Sequence, residues 1–374
     1  MDNFPKITVV IPIKNEAKYI ATTIRQILEQ DYPLDKIEII VAYGESDDNS
    51  TEIVSEIAKK DSRVRLFSNL VGLASGGRNV GIKNATGDII TFIDGHTHID
   101  NNQLLKNTAQ LMAEKDVSVL SRPQFLDTPD NDFMQKGIAL ARKSAIGHGL
   151  DSTIFADGDM YVNPTSSGAS YRRELFEEIG LYDERLDACE DVEFNYRVAE
   201  AGYKSFTSMK LAVFYYPRAS LSRLFEQMKR YGTGRFRLAR KHPKTLSLST
   251  LLPAFFTAGM PIIGVLSILS NATLFLFVTL LSIYVLIILV GSFAVSLRKG
   301  IKFLLILPLI YPTIHAGLGW GFLSEFTSSF SLSRSFHSAQ FSPIMQNQNP
   351  KIKTDPMLVK KELKSSGSFS FQTS

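Results

Sequence analysis

Ile89-Ile90-Thr91-Phe92-Ile93-Asp94-Gly95-His96 is the stretch on which the reading of this chain turns. A β-rich apolar run follows Gly87-Asp88 and stops abruptly at an acid, a glycine and a histidine. So short a run, bounded by turn residues, predicts a buried strand. In an open α/β sheet, ligands sit beyond the carboxyl ends of the strands. Asp94 and His96, two residues apart at such an end, are placed to reach one divalent cation. The same residues also suit a strand that ends in a polar turn, with Asp94 capping the helix beyond. The neighbouring stretches bear on the choice.

Upstream, residues 6–12 predict a buried strand that ends at Pro12. Asn15-Glu16 open a helix to about residue 30, with Ile20, Ile24, Ile27 and Leu28 on one face. Residues 38–42 form a second strand, and Gly44-Glu45-Ser46-Asp47-Asp48-Asn49-Ser50 is a loop capping a helix over 51–60. A third strand covers 63–67, a glycine-rich loop and helix 72–84, and a fourth strand 89–93. A helix over 102–114 and a strand over 117–120 follow. Strands alternating with helices at this spacing predict an α/β, doubly wound, mostly parallel sheet with right-handed crossovers. After Arg122 the rhythm changes. Residues 123–132 and 157–170 read as loops. A helix over 174–179 and one from Glu190-Asp191 to about Gly202 build the far side of a cleft.

The 374 residues suffice for one large domain with an appendage. A net charge of +4 is only mildly basic and makes no case for nucleic acid as a partner. One cysteine, Cys189, excludes an internal disulfide and fits a reducing compartment. No secretory signal is expected, because the apolar run at 7–13 is short and Lys14-Asn15-Glu16 follows at once.

Residues 221–241 are basic and amphipathic, with Arg223, Lys229, Arg230 and Arg235 set against Leu224, Phe225, Met228 and Tyr231. A solvated helical face accounts for this pattern. A helix at about 220–242 lying on an anionic membrane accounts for it better, since apolar segments follow at 251–270, 272–297 and 303–323. Each is close to the roughly 20 residues needed to cross a bilayer. Prolines 253 and 261 suggest that the first kinks or dips back, and Pro308, Pro312 and His315 make the third the weakest span. Basic clusters before the first segment and after the second put the N-terminal domain, 1–245, on the cytoplasmic side of the plasma (inner) membrane. Three full spans would put the tail outside, whereas its lysines favour the inside, so one segment is expected not to cross fully. Residues 331–374, rich in Ser, Gln and Asn, are expected to be disordered.

Four groups project from this layout: Asp48, Gly76-Gly77-Arg78-Asn79, Asp94 with His96, and Glu190-Asp191. Each has an ordinary explanation. Asp48 caps a helix, Arg78 makes a surface ion pair, and acids in a first helical turn offset the helix dipole. His98 reads as a loop residue. Their order along the chain is what makes them specific.

That order, over residues 6–243, resembles glycosyltransferase family 2, the inverting enzymes with a GT-A fold. The matching residues are Val10-Ile11-Pro12-Ile13-Lys14-Asn15-Glu16, Glu38-Ile39-Ile40-Val41, Gly44-Glu45-Ser46-Asp47-Asp48, Arg78-Asn79-Val80-Gly81, Gly87 to Asp94, Tyr171-Arg172-Arg173, Gly180-Leu181-Tyr182-Asp183-Glu184, Glu190-Asp191-Val192-Glu193, and Gln227 with Arg230-Tyr231. The Asp-Gly-His form and the apolar C-terminal segments look most like the bacterial succinoglycan-type exopolysaccharide branch.

The resemblance implies a nucleotide-diphosphate sugar donor, a UDP-sugar by preference. It implies a divalent cation, Mn²⁺ or Mg²⁺, held by Asp94 with His96. Pro12, Asn15, Glu16, Tyr43, Asp48, Arg78 and Asp94 would hold the nucleotide sugar. Asp191 would be the general base. Glu190, Gln227, Arg230 and Tyr231 would meet the acceptor, a saccharide on a polyprenyl diphosphate carrier at the bilayer. Two positions depart from the family pattern. Tyr43 stands where an Asp usually helps hold the base, and His96 replaces the second acid of Asp-x-Asp, a softer ligand that suits Mn²⁺ better than Mg²⁺. Tyr231 stands for the Trp that closes the Gln-x-x-Arg-Trp motif of processive synthases. A processive polymerase and a non-catalytic sugar- or nucleotide-binding membrane subunit remain as alternatives. Polymer made from one donor would mark the first, and binding without transfer the second.

Overall fold

The computed structural model describes residues 4–126, 132–148, 154–155 and 158–340. The tail from 341 onward, part of the stretch expected to be disordered, lies outside the described residues, as do 127–131 of the loop at 123–132 and residue 157 of the next. The chain divides into Met1–Ser328, which holds the sheet and the site, and Ser329–Ser374.

The strands are β1 Ile7–Ile13, β2 Ile37–Tyr43, β3 Val64–Ser68, β4 Ile89–Phe92, β5 Thr97–His98, β6 Val119–Ser121, β7 Gln124–Phe125, β8 Met160–Val162, β9 Gly168–Arg172, β10 Ser205–Thr207 and β11 Val213–Tyr215. The helices are α1 Ile20–Leu28, α2 Ser50–Lys60, α3 Ala74–Asn84, α4 Leu104–Glu114, α5 Phe133–Lys143, α6 Ala145–His148, α7 Leu175–Ile179, α8 Glu190–Glu200, α9 Leu221–Lys241, α10 Leu248–Leu266, α11 Asn271–Lys299 and α12 Leu307–Gln340.

Eight strands form the main sheet in the order β3-β2-β1-β4-β9-β6-β10-β8. The half from β3 to β4 is parallel, with Ile7 opposite both Ile37 and Ile89. Its inner strands β1, β2 and β4 are buried on both faces, which is why they read as apolar runs, whereas β3 forms the partly exposed edge. β9 then enters antiparallel to both β4 and β6. β6 and β10 pair in parallel, and β8 closes the edge antiparallel. A small sheet, β5-β11-β7, stands apart from the main one.

One helix starts later than expected. Asn15 adopts left-handed backbone, with φ of 58°, so Asn15 and Glu16 belong to a turn and α1 begins at Ile20. The turn is bound to the 44–50 loop. Asn15 N–H donates to Ser46 Oγ (3.1 Å), Glu16 N–H to Ser50 Oγ (2.7 Å) and Asp47 N–H to Asn15 Oδ1 (2.8 Å).

The C-terminal helices also differ from the expectation. Leu224, Met228 and Leu238, the apolar stripe of α9, are buried against protein. Among the described residues, α11 alone is long and apolar enough to cross a membrane. The apolar part of α10, Thr250–Leu266, is shorter. α12 buries Leu307, Ile310, Tyr311 and Ile314 in a cluster with Ile138, Leu224 and Met228.

Candidate active site

Asp94 stands two residues beyond the end of β4, at the carboxyl end of the parallel half. It shares one cavity with Arg78 from α3, Asp191 from the first turn of α8, Tyr182 and Tyr215. The two halves of the chain are joined here by Arg78. Its Nη1 donates to Glu190 Oε1 at 2.5 Å, and its Nη2 lies 3.8 Å from Asp94 Oδ1. The rings of Phe92 and Tyr182 flank the guanidinium at 5.7 and 5.4 Å. Burial lowers the Arg78 pKa, but the charge of Glu190 and the nearby acids outweigh it, and the guanidinium stays charged at any working pH. Burial raises the Glu190 carboxyl above the ordinary carboxylate range, and Arg78 opposes that rise.

Asn79, the next residue on α3, clamps the Gly180-Leu181-Tyr182-Asp183-Glu184 segment. Its Nδ2 donates to Tyr182 O (2.9 Å) and Glu184 Oε1 (2.8 Å), and its Oδ1 accepts from Tyr182 N–H (2.9 Å). Asp191 accepts from Val192 N–H at 2.8 Å and lines the cavity. Cys189, just before the two acids, adopts left-handed backbone with φ of 61°. Its thiol is directed at Tyr231 O (3.9 Å), and burial pushes its pKa up to about 12.

The other residues expected to hold the nucleotide sugar are placed differently. Asp48 is exposed and occupied. One oxygen accepts from Ser50 N–H (3.0 Å) and the Ser50 hydroxyl, the other from Ala17 N–H (3.1 Å). These bonds, that to the Ser50 hydroxyl most of all, hold its carboxyl below the usual range. Pro12 lies at the end of β1 opposite Ala42. Tyr43 packs half-buried against the core. None of Asn15, Glu16, Asp48, Tyr43 or His96 lines the cavity that holds Asp94. His96 Nδ1 lies 2.8 Å from Glu16 Oε1, and its ring meets Tyr215 edge-on. Burial lowers its pKa, but Glu16 and then Asp94 outweigh burial and the pKa is raised. His98, expected in a loop, is on β5, and its two ring nitrogens contact Gln26 and Asp100.

Among the described residues, no group of three or more His, Cys, Asp and Glu could by itself hold a metal ion. The donor set nevertheless fits a hard cation. Asp94 and Asp191 both line the cavity, and a cation of the Mg²⁺ type takes one or two carboxylates and completes its shell with water and substrate phosphates.

α9 meets the segment that leads into Glu190-Asp191, where Arg230 Nε lies 3.7 Å from Asp187 Oδ2. Gln227 Nε2 donates to the Tyr231 hydroxyl at 3.4 Å. The Tyr231 ring packs beside Arg142.

Two residues escaped the sequence. Arg122 is 2 % exposed and donates to Phe92 O (2.8 Å), Thr91 Oγ1 (2.5 Å) and Ser170 Oγ (3.3 Å), fixing the strand end that carries Asp94. Burial lowers its pKa. Tyr215 lines the cavity from β11, a three-residue strand with no periodicity to reveal it. The only signal for Arg122 was an arginine ending an apolar strand, where a charge must find partners.

Comparison with known proteins places the chain in a family. The family model described as "Glycosyl transferase family 2" matches residues 8–180. The succinoglycan biosynthesis protein ExoA of Rhizobium meliloti is 31% identical over 247 residues, covering 66% of this chain and 73% of that protein. A Methanococcus voltae enzyme, dolichyl N-acetyl-alpha-D-glucosaminyl phosphate 3-beta-D-2,3-diacetamido-2,3-dideoxy-beta-D-glucuronosyltransferase, is 24% identical over 319 residues, covering 84% of this chain and 95% of its own. Among solved structures, the mannosyltransferase PcManGT from Pyrobaculum calidifontis, in complex with GDP-Man and Mn²⁺, superposes with a TM-score of 0.57 at 19% identity. It covers 87% of this chain and 88% of that one, and shares the GT-A-like sheet. The chain therefore belongs to glycosyl transferase family 2 and is a glycosyltransferase of glycan biosynthesis.

Proposed function

We propose that the protein is a membrane-anchored inverting glycosyltransferase that moves a sugar from a nucleotide-diphosphate donor to a lipid-linked saccharide in exopolysaccharide or cell-surface glycan synthesis. One observation carries this reading. Asp94, Arg78 and Asp191 line a single cavity, although they come from three elements far apart in sequence. Asp191 is the general base that takes the proton of an acceptor hydroxyl, which attacks the anomeric carbon from the face opposite the leaving diphosphate. Its carboxylate suits this role because it accepts from one backbone amide, that of Val192, and the residue lines the cavity. Arg78, charged throughout, orients Glu190 and offsets phosphate charge at the same time. Asp94 would hold a divalent cation, Mn²⁺ or Mg²⁺. When bound, the cation neutralises charge on the diphosphate. Asn15, Glu16 and Asp48 shape the loop against which the nucleoside rests, with Pro12 and Tyr43 beneath it. Gln227, Arg230 and Tyr231 face the acceptor.

The apolar helices α10 and α11 anchor the chain, which supports a lipid-linked acceptor, a polyprenyl-diphosphate saccharide at the cytoplasmic face of the inner membrane. The test is transfer of labelled sugar from UDP- and GDP-sugars to a membrane lipid extract by the purified full chain. Label in the organic phase, lost with Asp191→Asn and with excess chelator, is the expected result. Donor binding without transfer or donor hydrolysis would overturn the reading in favour of a binding subunit.

A further inference from the structure

α5 joins two parts of the molecule. One face of it is apolar. Ile138 and Ala141 are buried in a cluster with Leu224 and Met228 of α9, Ile288 of α11 and Leu307 of α12. Just past its end, Ser144 Oγ lies 2.9 Å from the Tyr311 hydroxyl, and Ile146 O lies 2.9 Å from His315 Nε2. A Cβ on Gly291 would collide with the Ile146 side chain, so α11 packs directly against this segment. Elsewhere on α11, Leu286, Val290 and Phe293 stand exposed and offer an apolar surface.

The last turn of α5 meets the site. The Arg142 guanidinium lies over the Tyr231 ring at 5.9 Å, and Lys143 Nζ over the Phe125 ring at 4.8 Å. Both rings adjoin the cavity walls. Phe125 follows Gln124, which lines the cavity with Asp94 and Asp191. Tyr231 O faces the Cys189 thiol at 3.9 Å, and Cys189 directly precedes Glu190-Asp191. Two cations therefore stand at the boundary between the apolar helices and the cavity.

Cations at the carbonyl end of a helix offset its dipole, so their presence alone decides nothing. Their company is more telling. Arg78, Arg230 and Arg237 each stand beside an acid. Among the described residues, Arg142 and Lys143 form no ion pair, and each rests on an aromatic ring instead. A ring face steadies a guanidinium without using up its N–H donors, which stay available to an anion. Such donors beside apolar helices suit a phosphate ester of an apolar alcohol, with the guanidinium on the phosphate oxygens and the helices along the chain.

We infer that Arg142, seated on Tyr231, and Lys143 form the phosphate site for the acceptor's carrier, a phosphate or diphosphate ester of a long-chain alcohol. This rests on the transfer to a lipid-linked saccharide proposed above. Arg142 is then what makes the acceptor's phosphate a requirement, and Tyr231 is a positioning residue that acts through it.

Farnesyl diphosphate, a soluble ester of this class, tests the site. It is titrated into the purified full chain in detergent, with the donor site filled by saturating UDP or GDP and Mn²⁺. Inorganic diphosphate and farnesol carry the head and the chain separately, and each should bind more weakly than the ester. Arg142→Gln should weaken the ester about 10-fold or more, as loss of a charged hydrogen bond does, with nucleotide affinity unchanged. Arg142→Lys should weaken it less. Tyr231→Phe, which keeps the ring, should bind the ester nearly as the unmodified chain does, whereas Tyr231→Leu should not. Unchanged ester affinity in Arg142→Gln overturns the inference, and so does inorganic diphosphate binding as tightly as the ester. Should Arg142→Gln also lose nucleotide binding, Lys143→Gln, at an exposed position, decides by the same criterion. An unmodified chain that binds neither UDP nor GDP removes the transferase reading itself, and this inference with it.

Discussion

Asp48 and Asp191 each stand at the start of a helix, α2 and α8, and in sequence they are the same object: an acid where a helix dipole welcomes one. In the fold they differ. Asp48 is engaged on both carboxylate oxygens, by Ser50 and Ala17. Asp191 receives one amide, that of Val192, and lines a cavity shared with Asp94 and Arg78. What separates a structural acid from a chemical one is how much of its hydrogen-bonding capacity the fold leaves over.

The comparison breaks most sharply at Asp191. Asp191→Asn should lower turnover by about 10²–10⁴-fold, the usual range for a general base, with donor affinity little changed. Titration of donor binding beside the rate assay separates the two, and a rate near that of the unmodified chain would make Asp191 another structural acid. Next in size is Arg78→Met, which leaves Glu190 buried without its partner and should cost about 3–5 kcal/mol in denaturant unfolding. Adding Glu190→Gln should recover part of that loss.

Asp48→Ala removes bonds made by an exposed carboxylate and should cost only about 1 kcal/mol, and spare most of the turnover. Because the Asp48 carboxyl is held low in the folded chain, its contribution is present above the unfolded value of about 3.9. It is lost as pH falls through the folded one, so the mutant and unmodified stabilities should converge in acid. The smallest effect is expected at His96. Its raised pKa means the Glu16 contact stabilises fully below about pH 6.5 and fades as pH rises through the folded value. Glu16→Gln should lower the His96 titration midpoint seen by NMR.

The parallel half was legible because three of its four strands are buried on both faces. β1, β2 and β4 read as continuous apolar runs, and their ends located Asp94. β9 was not legible. Gly168, Ala169 and Ser170 are poor strand formers, and the strand exists because β4 and β6 bury it from both sides. Asn15 shows a local version of the same limit. As a polar residue it fits a helix start, but its left-handed backbone serves bonds to Ser46 and Asp47 that only the fold supplies. Motif order brought Arg78 and Glu190 to notice separately, and their ion pair joins residues with no local relation. For the 303–323 segment, apolarity alone could not distinguish a lipid neighbour from α9.

Cys189 has a practical consequence. Reagents that modify cysteine need the thiolate, and burial pushes this thiol up to about 12. The chain has no other cysteine. At neutral pH it is therefore nearly silent toward maleimides, so a spin label or fluorophore introduced at a chosen surface position would report from that position alone.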